Sequence, residues 1–369
     1  MRYLSKVIVL SLICSSCYVS KELPPDQDSW DYDIPSSTGL SDLQLRNLND
    51  LIEANNFAQI EGLVIVKNDK LVYENYYNGG NRHTLHEIGR STSLVASLLL
   101  GIFIDQGYIA DVDVPIFNFL PEYQNIFTAD PSKQEITFRH LLTNTMGVPW
   151  NEYTENTEQT SSDFYQMKLV SDWAGYVLSK RQEAQPGLRL VLNSGSALIL
   201  SKIFSNILVN ETLEEFIAEN LFSPIGITNY EWAYDPSGTL DLMTGLKIST
   251  LDFMRLGYLT QQEGRWSDRR RVINRDWILD CLTLQKPFDT GYDLGYYWWI
   301  FSDQFNANYQ QENQGYIFSG YRGQSIYLVP DQNLIVAVMG NNPYSHIIYN
   351  HSLYVYLRVI DALTASQEN

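Results

Sequence analysis

Two serines could carry acyl chemistry in this chain. Ser91 and Ser93 stand in the run His86-Glu-Ile-Gly-Arg-Ser-Thr-Ser-Leu94, at the entry to a long apolar segment. A serine hydroxyl attacks an acyl carbon only when a base beside it takes the proton. The chain holds no lysine between Lys70 and Lys133, so no lysine one turn on can be that base. His86 and His140 could serve instead. His140 lies inside an apolar helical phrase and His86 just ahead of a buried helix, so packing or hydrogen bonding is expected of both. The expected role of Ser91, Thr92 and Ser93 is to cap the helix, with their hydroxyls accepting from free amide N–H groups.

Arg90 is the other residue with chemistry to offer. A guanidinium is not deprotonated in proteins, so Arg90 is neither nucleophile nor base. A cation at a helix N-terminus opposes the helix dipole, by about 0.3–1 kcal/mol if exposed. Two readings stay open. Arg90 and the first-turn N–H groups hold a ligand carboxylate or phosphate, or the side chain fills space and points to solvent.

These residues need a helix behind them. Leu94 to Ile104 is apolar apart from Ser97 and Gly101, the pattern of a helix buried on nearly all sides. Ser93, Ser97 and Gly101 lie four apart and make one small-residue stripe where a neighbour can pack closely. Gly107 stops the helix. Ahead of it, Ser41 to Asn55 has helical periodicity, capped by Ser41 with Gln44. Gly62 to Val66 and Leu71 to Tyr77 read as a hairpin turning at Asn68-Asp69.

Helical phrases follow at 136–145, 165–179, 196–208, 212–221, 251–262 and 275–284. The last third is β-rich, with strands expected at 296–301, 316–319, 324–329 and 334–339 and a closing helix at 351–362. Strands at both ends with helices between predict an α/β fold: an antiparallel sheet flanked by helices, formed from both termini, with an inserted all-helical domain. The sheet part covers about 40–90 and 245–366, and the helical part about 91–244.

Composition narrows the function classes. The chain has 369 residues, 44% hydrophobic and 18% charged, which suits a globular protein with a large core. Its formal charge of −18 argues against nucleic acid or anionic lipid as a partner. No Walker or Rossmann phosphate loop occurs, and His346 and His351 lack metal-ligand spacing, so neither cofactor nor metal is expected. Arg269-Arg270-Arg271, between Trp266 and Trp277, reads as a solvated loop.

The first residues read as an address. Arg2 and Lys6 form a basic stretch, Val7 to Cys14 is a short apolar run, and Ser15-Ser16-Cys17 is a small-residue cleavage site. A run of eight residues does not span a bilayer. The pattern resembles a bacterial lipoprotein signal over residues 1–16, with Cys17 carrying the lipid and 17–39 a polar, proline-bearing tether. The expected location is the bacterial cell envelope, with membrane contact through that lipid alone. Cys281, in the helical pattern RDWILDCL, reads as a core residue.

Seven phrases fall in an order that resembles the serine β-lactamase and penicillin-binding-protein superfamily, nearest its class C and esterase-like branch. They are GIFIDQGYI, ITFRHLLTNTMGVPWNE, PGLRLVLNSG, LFSPIGI, TGLKISTLDFMRLGYL, GYYWW and FSGYRGQSIYLVP, spread over about residues 40 to 360. The resemblance implies a β-lactamase-like fold and a Ser-x-x-Lys pair at the start of the central helix. It also implies a proton-shuttling Tyr from the helical domain and a facing strand that supplies an oxyanion-hole N–H.

The matched positions depart from that machinery. Counting forward from His86 and backward from Gly101 puts Arg90 at the nucleophile position and Ser93 at the lysine position. A one-residue slip restores Ser91 as nucleophile but places Leu94 at the lysine position. Leu192 stands where Tyr precedes Asn193-Ser194-Gly195, and Phe318-Ser319-Gly320 stands in the third motif. The expectation is a catalytically degenerate relative, with Ser91 or Ser93 as nucleophile in the competing reading of a rebuilt esterase or peptidase. A third reading is a structural or partner-binding lipoprotein with a closed cleft. A cleft formed by Arg90, Ser91, Ser93, Leu192, Asn193, Phe318, Ser319, Gly320 and Arg322 would suit a ligand with an apolar body and one anionic end. By the resemblance alone, cell-wall-type peptides or sugars are candidates.

Overall fold

The computed structural model describes residues 30–57, 59–152, 161–266, 270–288, 291–320, 322–341 and 345–364. The expected signal and Cys17 lie outside them, as does Arg269. Twelve strands occur among the described residues: β1 Asp31–Tyr32, β2 Ile60–Lys67, β3 Lys70–Tyr76, β4 His86–Glu87, β5 Glu231–Trp232, β6 Leu246–Ile248, β7 Lys286–Pro287, β8 Tyr292–Leu294, β9 Trp299–Phe301, β10 Tyr316–Ser319, β11 Ser325–Val329 and β12 Leu334–Gly340. Nine form one sheet in the order β1-β3-β2-β12-β11-β10-β9-β8-β7, antiparallel except for β1 against β3. β12 lies between β2 and β11, so the sheet is built from both ends of the chain, as the sequence predicts. A small second sheet, β4-β6-β5, was not foreseen.

Both faces of the large sheet are covered, which is why β2 is almost wholly apolar. Leu63 and Ile65 face helices Asp42–Glu53 and Ser345–Thr364, while Val64 and Val66 join the core around the central helix. That helix, Ser93–Asp105, is buried at every residue from Leu94 to Phe103. Its small-residue stripe receives a neighbour, as expected. The Trp277 indole N–H donates to Ser97 O at 3.0 Å, and Ser97 Oγ donates to Tyr296 O at 3.2 Å. A Cβ on Gly101 would stand 2.1 Å from Trp277 Cδ1, so only glycine fits there. Cys281 is buried beside Ser97, and burial pushes its thiol up to about 12, which fits the core role expected of it.

Four expectations need correction. The tether was predicted to reach residue 39, but from Trp30 the chain is packed. Trp30 is buried edge-on to Tyr258 and Trp266, with ring centroids 4.8 and 5.9 Å away, and β1 then pairs with β3. Burial of that indole outweighs the polar composition around it. The helix expected over 165–179 is two, Asp163–Lys168 and Trp173–Ser179. Asp172 starts the second by accepting from Gly175 N–H at 2.8 Å, an N-cap that breaks the run. The strand expected over 296–301 begins only at Trp299, because Tyr297 sits at φ 64° in a turn closed by Gly295 N–H donating to Trp298 O. The serines do not cap the central helix: a 3-10 turn, Gly89–Thr92, runs straight into it with no side-chain cap.

Candidate functional site

The Gly89–Thr92 turn is fastened on several sides, and that is what its hydroxyls do. Ser91, fully buried, donates to Gln324 O at 3.3 Å. Thr92 Oγ1 accepts from Leu246 N–H at 3.3 Å, tying the turn to β6. Ser93 donates back to Arg90 O at 2.8 Å. Among the described residues, no lysine, histidine or tyrosine is hydrogen-bonded to either Ser91 or Ser93. Ser91 as a fallback nucleophile is therefore enclosed, with its proton held on a main-chain carbonyl.

Arg90 neither points to solvent nor awaits a ligand. Its Nε lies 2.7 Å from Glu152 Oε1, with the two side chains 17% and 3% exposed. Glu152 also accepts from Ser194 N–H at 3.0 Å and from the Ser194 hydroxyl. The Arg90 guanidinium stands 5.9 Å from the centroid of the Phe164 ring. A carboxylate this deeply buried needs a cation and hydrogen bonds together, and it has both. The anion facing Arg90 in this structure is supplied by the chain itself.

The Leu192 segment reaches the turn, as the register requires. Val191 N–H donates to Asn144 O at 2.8 Å and Asn193 N–H to Asn144 Oδ1 at 2.9 Å. That clamp presents Ser194 to Glu152, and so sets Leu192 and Asn193 beside the Arg90 pair. Asn193 is buried, and its side-chain amide has no hydrogen-bond partner among the described residues.

β10 closes the other side. Gly320 N–H donates to Gln324 O at 2.7 Å, and a Cβ on Gly320 would stand 2.9 Å from Ser91 Oγ. Ser319 Oγ lies 3.0 Å from Ser325 Oγ. Phe318 does not line a cleft. Its ring is buried edge-on to Trp298 at 5.3 Å, so it belongs to the core.

Arg322 faces elsewhere, with Nη1 3.7 Å from Glu87 Oε2. It lines a concavity of about 500 Å³ with His86, Glu87 and Lys247. None of Arg90, Ser93, Leu192 or Ser319 lines that concavity.

The remaining candidates settle into structural roles. His86 Nδ1 is 2.6 Å from Glu61 Oε2. His140 Nδ1 accepts from Thr137 N–H at 3.1 Å, and burial lowers its pKa. His351 is edge-on to Phe57 at 6.3 Å. Arg270 and Arg271 are exposed and donate to the carbonyls of Pro224 and Glu263.

Sequence reasoning missed Glu152, Phe164 and the Ser194 hydroxyl. One signal was available. An arginine at the mouth of a buried helix demands a counter-charge, and Glu152 ends the apolar phrase Val148-Pro-Trp150-Asn-Glu.

The profile of the beta-lactamase family matches residues 48–350. Among solved structures, the chain resembles one described as "Putative 6-aminohexanoate-dimer hydrolase from Bacillus anthracis", at 18% identity and a TM-score of 0.71, covering 87% of this chain and 82% of that one. It also resembles a penicillin-binding protein homologue from Pyrococcus abyssi, described as octameric, at 18% identity and a TM-score of 0.66, covering 88% and 77%. At these identities the likeness is one of fold. A curated relative, the acyltransferase calJ of Penicillium decumbens, is 28% identical over 163 residues, 38% of this chain. The matched segment spans only 36% of that relative.

Proposed function

The chain belongs to the beta-lactamase family, and from that premise we propose that it is a member that forms no acyl-enzyme and binds a small ligand instead of turning it over. One observation supports the reading: Arg90, which the sequence register aligns with the nucleophile, is locked at 2.7 Å on a buried Glu152 that also takes both donors of Ser194. Acyl transfer needs an accessible hydroxyl with a base at its side; Ser91 is buried, and among the described residues neither Ser91 nor Ser93 is hydrogen-bonded to a lysine, histidine or tyrosine. Ser93, at the lysine position, uses its hydroxyl on Arg90 O. Leu192, at the tyrosine position, has no proton to move.

Hydrolysis assays test this. Turnover of p-nitrophenyl acetate and of nitrocefin is expected to stay at the solvent background, unchanged by Ser91→Ala or Ser93→Ala. A rate well above background that Ser91→Ala or Ser93→Ala abolishes would establish the rebuilt-hydrolase reading.

We further propose that the protein is a lipoprotein of the bacterial cell envelope, anchored through Cys17. Arg2, Lys6, the apolar run 7–14 and the small residues before Cys17 support this. A single acyl chain binds a membrane only marginally, so two or more chains on the anchor are required. Cys17→Ala is expected to move the protein from the membrane fraction to the soluble one, or to block its maturation. Unchanged fractionation with cleavage at the same place would contradict the anchor.

A further inference from the structure

We propose that the basin beside β4 binds a hydroxylated carboxylate of sugar-acid size, with Arg322 and Lys247 as its cation pair. This rests on the binding-protein reading above and moves the ligand from the Arg90 turn to the neighbouring concavity of about 500 Å³.

The two kinds of ion pair in this region differ in what a ligand can displace. Arg90 and Glu152 are close and enclosed, so separating them leaves a buried charge unpaired. Arg322 and Lys247 are held loosely. Arg322 is 3.7 Å from Glu87, and Lys247 Nζ is 3.3 Å from Glu231, with all four side chains 40–62% exposed. Such pairs contribute little, so a ligand carboxylate can replace the protein's own. Glu87 also sits directly across from Lys247 in the β4–β6 ladder, so one carboxylate stands between both cations. In a chain of net charge −18, a small anion needs cations such as these two beside it.

The basin is also built in advance. Gln324 is buried, donates from Nε2 to Glu87 O at 2.9 Å and accepts from Arg322 N–H on Oε1 at 3.1 Å. One amide therefore fixes the backbone under both charged residues.

Apart from Tyr77 and Leu85 the rest of the wall is polar, which favours a hydroxylated body over an apolar one. Asn78, Thr84 and Asn341 line it, with the backbone of Gly79 and Gly80. His86 lines it too. Hydrogen bonds from His86 and Asn341 hold the Glu61 carboxyl below its ordinary range although burial works the other way. His86 Nδ1 is 2.6 Å from Glu61 Oε2, which fixes the ring in the wall.

Calorimetry with D-glucuronate and D-glucuronamide tests the proposal, since the two differ only in the charged end. Glucuronate is expected to bind saturably and the amide at least about tenfold more weakly, the scale of one charge-assisted contact. Arg322→Gln and Lys247→Gln are each expected to weaken glucuronate about tenfold. Glu87→Gln, which removes the competing carboxylate, is expected to tighten it, a gain that misfolding cannot produce. No saturable binding of glucuronate, equal binding of the amide, or affinity indifferent to Arg322→Gln would overturn the proposal and leave the non-acylating reading standing. A serine adduct in a covalent trapping assay would overturn that reading without altering any of these binding outcomes.

Discussion

Glu152→Ala is expected to lower the free energy of unfolding by about 3–5 kcal/mol, the cost of leaving one member of a buried ion pair alone. The Arg90 guanidinium is 17% exposed and cannot simply turn into water without leaving its place beside Phe164. Ser194 loses the acceptor for its N–H and hydroxyl in the same step, and an unmade buried hydrogen bond adds to the loss. Urea denaturation reads the effect as a lower midpoint at constant slope.

The companion experiment separates pairing from packing. Replacing both residues, Arg90→Met with Glu152→Met, is expected to recover most of the loss, because apolar residues of similar volume often substitute for a buried pair at little cost. A Glu152→Ala protein within about 0.5 kcal/mol of the parent, the range of an ordinary surface change, would show that the pair does not lock the turn.

The parts of this molecule that repeat a pattern were readable from sequence. β2, β3, β10, β11 and β12 lie within two residues of their expected places, and β2, β11 and β12 do so because a strand buried on both faces is mostly apolar along its length. The central helix was legible for the same reason, and the stripe Ser93, Ser97, Gly101 announced a close neighbour. The short strand pairings were not legible. β4 and β5 have two residues each, and what holds them is β6, far away in sequence.

The site was half legible. The register placed Arg90, Ser93, Leu192 and Ser319 at the family's working positions, and the structure brings their segments to one end of the central helix. The register could not say what Arg90 does there, because its partner is 62 residues downstream and is defined only by three-dimensional proximity. The hydroxyls were misread for a related reason. Capping is a local rule, whereas Ser91 and Thr92 bond to Gln324 and Leu246, which no local rule can see. The basin was unreadable altogether, since Glu61, Asn78, Thr84, Glu87, Lys247, Arg322 and Asn341 meet in its wall from widely separated stretches of chain.

Intact-mass spectrometry after incubation with a fluorophosphonate and, separately, with benzylpenicillin tests the central claim most directly. In a well-studied serine protease, removing members of the catalytic group costs on the order of a million-fold in rate. The proposed register puts losses at the nucleophile, base and proton-shuttle positions together. With Arg90 at the nucleophile position and Ser91 enclosed, the account predicts an unmodified mass at neutral pH after hours of exposure. A stoichiometric adduct mapped to Ser91 or Ser93 would contradict it.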